Sequence, residues 1–177
     1  RETVLHFFDR IRKEYPRLNK MRRHHAGGLV LEEDPIDSDS RRWMRIDPES
    51  LRFGQFSPDS LDDLRDFSRL IMTQAPYHLT FSNIDYDHLE LLYGFDLEYR
   101  GNHDRLIAET LLGEQMAAGL LFDDEAAHIV DAQPYFGIAL TPECDLQAFV
   151  EIKSRTSTHE LKTQEFEPRP ISVYLTL

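Results

Sequence analysis

The segment Leu89-Glu90-Leu91-Leu92-Tyr93-Gly94-Phe95-Asp96-Leu97-Glu98-Tyr99 places a large apolar side chain at every odd position. Successive side chains of a strand point to opposite faces, so this alternation predicts a strand with one buried face. Beyond it the chain enters Gly101-Asn102-His103-Asp104, and helical spacing resumes with Leu106, Ile107 and Leu111 toward Gly113. A third helix is expected from about His103, with a further turn or two over 116–121.

The same reasoning extends in both directions. Val4, Phe8, Ile11 and Tyr15 form a helical stripe that Pro16 stops. Arg17 to His25 is a basic segment, Gly27-Gly28 a turn, and Leu29-Val30-Leu31 a short strand. Arg41 to Ile46 and Leu51 to Phe56 read as a hairpin turning on Asp47-Pro48-Glu49-Ser50, with Trp43 anchoring one face. A second helix is expected after Ser57-Pro58, capped by Ser57, supported by Asp59, Asp62 and Asp63, and bounded by Pro76. Its buried stripe is Leu61, Leu64, Phe67 and Ile71.

From Ala127 the chain is rich in strand patterns, interrupted by Pro134, by the turn Thr141–Asp145 and by Pro168-Arg169-Pro170. Strands joined by short polar turns pair antiparallel. The fold expected is therefore α+β, a largely antiparallel sheet with about three amphipathic helices packed against one face. No Pro/Gly/Ser-rich linker divides the 177 residues, which read as a single domain, 1–177, with a basic helical leader over 1–25 and a strand-rich half over 127–177. The helix and strand order permits a duplicated unit, but no residue-level repeat supports one.

The composition, 41% hydrophobic and 29% charged, is that of a globular protein, and a chain of this length buries roughly 70% of its unfolded surface. No apolar run approaches the ~20 residues needed to cross a bilayer, and no membrane association is expected. The single cysteine, Cys144, excludes an internal disulfide and fits a cytoplasmic location. Glu143 and Asp145 flank it, which disfavours a reactive thiolate.

Charge is unevenly spread. Residues 1–25 carry +5 while the chain as a whole carries −12, which leaves −17 on the remainder. An acidic body repels phosphate backbones, so nucleic acid is not the expected partner. The basic segment is expected to be mainly a solvated face. It also supplies the candidate surface for an anionic partner, through Arg17, Lys20, Arg22 and Arg23.

Gly101-Asn102-His103-Asp104 resembles one block of the calcineurin-like metallophosphoesterases. In that family such an Asn ligates a dinuclear metal centre and such a His contacts phosphate. The resemblance covers four residues. The other blocks are missing: Asp85-Tyr86-Asp87-His88 has the wrong order, there is no Gly-Asp pair, and His128 and His159 lack the family's neighbours. A helix start explains the same residues more economically, with Asn102 as the cap and Asp104 in the first turn. His103 and Asp104 therefore stand as the only catalytic candidates. His24-His25 and Asp85, Asp87 and His88 follow no metal-ligand spacing, and no cofactor is expected.

Without a nucleophile elbow, a phosphate loop or a dinucleotide fingerprint, the expectation is a non-catalytic interaction or assembly module with a protein partner or self-association. The alternative is a small-molecule binder or metal-dependent hydrolase with a pocket between sheet and helices near His103. Trp43, Tyr77, Tyr86 and Tyr135 would be available to line such a pocket.

Overall fold

A computed structural model describes residues 2–25, 27–34, 39–113 and 128–177. The protein is α+β, with two four-stranded antiparallel sheets where the sequence reading expected one. Backbone contacts gather into two compact units, Arg1–Asp87 and His88–Leu177. The boundary falls beside Asp85-Tyr86-Asp87-His88, a polar stretch without the Pro, Gly or Ser that betrays a linker in sequence.

In the first unit the order is α1 (Glu2–Glu14), β1 (Leu18–Arg23), β2 (Leu29–Glu33), β3 (Arg41–Asp47), β4 (Ser50–Phe56) and α2 (Leu61–Leu79). The four strands form a meander in sequence order. The leader is thus helical only to Glu14, and Pro16 separates the helix from β1. Leu18 pairs with Glu33 and Met21 with Leu31 across an irregularity between Leu18 and Lys20. That bulge puts residues three apart on the same face, which hid β1 from a search for alternation.

Phe7, Phe8 and Ile11 of α1 and Phe67, Ile71 and Ala75 of α2 join Leu18, Leu31 and Met44 of the sheet in one buried cluster. Burying an aliphatic or aromatic side chain contributes about 1.5–3 kcal/mol, so this face drives folding of the unit. Helix α2 is capped by Ser60, whose hydroxyl accepts from the Asp63 N–H at 3.1 Å. Ser57, the cap expected from sequence, lies before it at φ 43°. Pro76 sits inside the helix and does not bound it; it forgoes its own bond to the preceding turn, yet the helix continues to Leu79. The helix closes at Thr80, whose N–H donates to the Pro76 carbonyl.

A charged network centred on the buried Glu33 ties the same unit together. The Glu33 side chain is 1% exposed and accepts from the Arg42 backbone N–H at 3.0 Å and from its guanidinium at 3.1 Å. The same guanidinium grips both oxygens of Asp63 at 2.7 and 2.6 Å and lies 4.8 Å from the Tyr15 ring centroid. Strands β2 and β3, helix α2 and the end of α1 are thereby tied together.

The second unit contains β5 (Leu92–Tyr99), α3 (His103–Leu112), β6 (Tyr135–Ala139), β7 (Gln147–Lys153), α4 (Thr158–Thr163) and β8 (Arg169–Thr176). Its sheet runs β5-β8-β7-β6, a meander of three strands to which β5 adds at the free edge of β8. The alternating strand exists, but Phe95 and Leu97 on its apolar side remain 52% and 57% exposed. Alternation specifies an apolar face without specifying what covers it. The turns expected over 116–121 and the strand start at 127 lie outside the described residues.

Candidate anion-binding surface

Sheet register decides which side chains of the first unit share a face. In β2, β3 and β4 the inner face carries Leu29, Leu31, Met44, Ile46, Leu51 and Phe53, which face the helices. Their neighbours in sequence turn the other way. Arg22 pairs with Val30, Val30 with Arg45 and Arg45 with Arg52, so three arginines and a valine form one row across all four strands. The adjacent row is Lys20, Glu32, Trp43 and Gly54, and beyond it Arg41 pairs with Phe56. With strands ~4.8 Å apart, the arginine row spans roughly 14 Å.

The aromatic part of this face centres on Trp43. The Trp43 indole lies over Gly54, where a Cβ would meet it at 3.4 Å, an ordinary van der Waals contact. Trp43 and Phe56 approach to 6.4 Å between ring centroids, and the Arg41 guanidinium covers the Phe56 ring at 4.8 Å. Phe56 is 51% exposed. The result is a cationic and aromatic surface whose exposed parts are Arg22, Arg52 and Phe56, while Val30 between the arginines is 3% exposed and a cation–π contact orders Arg41 over Phe56.

Three of the cations have acidic neighbours. Arg22 holds Glu32 at 2.9 Å, Lys20 reaches Asp34 at 3.3 Å, and Arg45 contacts Asp47 at 2.7 Å. The hydrogen bond from Arg22 holds the Glu32 carboxyl below its ordinary range, so it stays ionised. Arg52 is exposed and has no ion partner among the described residues, although it lies directly opposite Arg45. Like charges directly opposed on a sheet are destabilising, and here the Asp47 carboxylate offsets the charge of Arg45 while Arg52 keeps its own. The first unit has 14 basic and 16 acidic residues, whereas the second has 6 and 16.

Of the four basic residues expected from sequence, the sheet brings Lys20 and Arg22 together. Arg23 pairs with Leu29 on the opposite face, and Arg17 precedes β1. Arg41, Trp43, Arg45, Arg52 and Phe56 were missed as site residues. Their period-two spacing was visible in the hairpin, but their common row with Arg22 depends on pairing between distant strands.

His103 and Asp104 are placed in the second unit as buried ties. His103 is 2% exposed; its Nε2 lies 3.2 Å from the Tyr99 carbonyl, and its Nδ1 accepts from the Arg155 N–H at 3.3 Å. With Nδ1 accepting, Nε2 is the ring nitrogen left to donate to the Tyr99 carbonyl. Asp104 accepts from the Ala132 N–H at 2.8 Å. Asn102 caps α3 by accepting from the Arg105 N–H and donates to the Ile129 carbonyl. These bonds pin the start of α3 to the loops on either side and present no reactive atom to solvent. Among the described residues no three His, Cys, Asp or Glu side chains gather as a metal site.

A groove of about 920 Å³ runs along α1 and the end of α2, lined among others by His6, Arg10, Lys13, Tyr77 and His78. Tyr77 lines it, whereas Trp43, Tyr86, Tyr135 and His103 do not. No helix among the described residues is long and apolar enough to cross a membrane. No protein-family model matches the chain, and neither a curated protein nor a solved structure matches it.

Proposed function

We propose that this chain is a non-catalytic interaction module whose first unit receives an acidic segment of a protein partner on the outer face of the β1–β4 sheet. The observation that carries this reading is the cross-sheet row Arg22–Val30–Arg45–Arg52 beside Trp43 and Phe56. Opposed arginines weaken an isolated sheet and strengthen one that binds carboxylates, because their guanidinium forks take carboxylate oxygens in pairs. Trp43 and Phe56 supply apolar contact between the charges, the composition typical of an interface centre.

Peptide carboxylates suit the face better than a phosphate backbone. Lys20, Arg22 and Arg45 already share their charge with Asp34, Glu32 and Asp47, which leaves less free positive charge than counterion release onto nucleic acid needs. The net charge of −12 opposes nucleic acid further. An exposed, unpaired Cys144 is in keeping with a reducing cytoplasm.

Trp43 is the only tryptophan of the chain and lies within the face, so its fluorescence reports occupancy directly. Titration with an oligoglutamate peptide at low salt should change its emission saturably, weaken as salt rises, and lose at least tenfold in affinity in an Arg52→Glu variant. An unchanged emission, or equal binding by Arg52→Glu, overturns the reading.

A further inference from the structure

The second unit carries a different kind of surface. Pairing places Tyr93, Phe95 and Leu97 of β5 beside Leu175, Val173 and Ile171 of β8. Val173 and Leu175 pair in turn with Ile152 and Val150 of β7, and Val150 and Ala148 with Phe136 and Ile138 of β6. One face of this four-stranded sheet is therefore apolar from edge to edge. The opposite face is mixed: Asp96, Glu98, Ser172, Glu151 and Lys153 stand among Leu92, Tyr174, Phe149 and Tyr135.

Among the described residues much of this face is exposed, although Ile171 on it is only 6% exposed. Phe95, Leu97, Phe136, Ile138 and Leu175 are between 41% and 60% exposed. Leu91 and Leu177, which exchange hydrogen bonds at 2.9 Å, and Leu140 and Leu146 extend the patch at 44–48% exposure. Nine large side chains near half exposure, each presenting on the order of 100 Å², amount to roughly 900 Å² of apolar surface. A typical monomer exposes no contiguous patch beyond about 300–600 Å².

We propose that this face is a homodimer interface, on which the same sheet of a second copy stacks about a two-fold axis to form a β-sandwich across the two chains. The area supports a second copy: roughly 900 Å² from each partner gives about 1,800 Å² in total, within the ~1,200–2,000 Å² of a stable interface. A flat sheet face that is apolar along every strand is self-complementary, as an isologous contact requires, and sheets stack face to face ~10 Å apart. The second unit's 16 acidic against 6 basic residues make two copies repel, so the dimer draws on apolar burial and tightens as salt screens that repulsion.

The experiment is sedimentation equilibrium of the full chain across the micromolar range at low and high salt, with Leu97→Glu, Ile138→Glu and Arg52→Glu variants. The proposal expects a dimer strengthened by salt, at least tenfold weaker dimerisation in Leu97→Glu and in Ile138→Glu, and wild-type dimerisation in Arg52→Glu. Both substituted leucine and isoleucine positions are exposed, and circular dichroism checks that each variant keeps its fold. The milder Leu97→Gln should weaken the dimer in the same direction. A wild-type chain that stays monomeric throughout, an assembly larger than a dimer, or undiminished dimerisation in both glutamate variants overturns the proposal. Dimerisation without peptide binding, or the reverse, separates the fate of this interface from that of the arginine face.

Discussion

Replacing Arg42 by methionine removes the cation that sits between Glu33 and Asp63 while keeping much of the side chain's apolar stem. Glu33, 1% exposed, would keep only the Arg42 backbone N–H at 3.0 Å, and Asp63 would lose contacts at 2.7 and 2.6 Å. Removing one partner of a buried ion pair costs about 3–5 kcal/mol, because the other charge stays desolvated. Against a total stability of roughly 5–15 kcal/mol that is a severe loss, and at ~4–8 °C per kcal/mol it lowers Tm by about 12–40 °C. Urea unfolding of the full chain, followed by Trp43 emission, reads the first unit specifically. The double variant Glu33→Gln with Arg42→Met should be more stable than the two single losses predict, by about 1–3 kcal/mol, since neutralising Glu33 removes the stranded charge. A loss below about 1 kcal/mol in Arg42→Met, the scale of a surface pair, or strict additivity in the double variant, would refute a network centred on the buried Glu33.

Other expectations follow from the same geometry. Hydrogen bonding from Gln55, then from Arg42, holds Asp63 below its ordinary carboxyl range, and Arg22 does the same for Glu32. A depressed folded-state value means that this stabilisation is complete above the unfolded value near pH ~4 and is lost as pH falls through the lower folded value. Urea midpoints should therefore fall steeply below about pH 4, and less steeply in Arg42→Met. Asn102→Ala should cost about 1 kcal/mol of stability, measured by circular dichroism in urea, as the loss of a helix cap does. In Gly28→Ala the new Cβ would lie 2.8 Å from the Ile46 carbonyl oxygen and collide with the Asp47 carboxylate. The β2–β3 pairing should lose about 1–3 kcal/mol, visible as a lowered Trp43 unfolding midpoint.

The hairpin 41–56 was legible because two alternating runs flank Pro48-Glu49, and the structure closes it with Asp47 opposite Ser50. The first helix was legible because its stripe ends at a proline. Pro76 misled because a proline disfavours a helix interior without forbidding it: one backbone bond is lost, and the helix continues for three residues beyond it. Strand β1 was hidden by its bulge, and the division into two units by a boundary without linker chemistry. For the surface, sequence supplied Lys20 and Arg22 as charges but not as members of a row, since Arg45 and Arg52 join them only through strand pairing. His103 and Asp104 drew attention as a short motif, and their burial and backbone partners give them a local structural task.

The proposed role of the first sheet is to bind an acidic protein segment on its outer face. Its most direct test is mapping of backbone amide and Trp43 indole chemical shifts in the full chain during titration with an acidic peptide. Saturable shifts concentrated at Arg22, Trp43, Arg45, Arg52 and Gly54 are expected. Shifts confined to the α1–α2 groove or to the second unit, or no shifts at low salt, would contradict it.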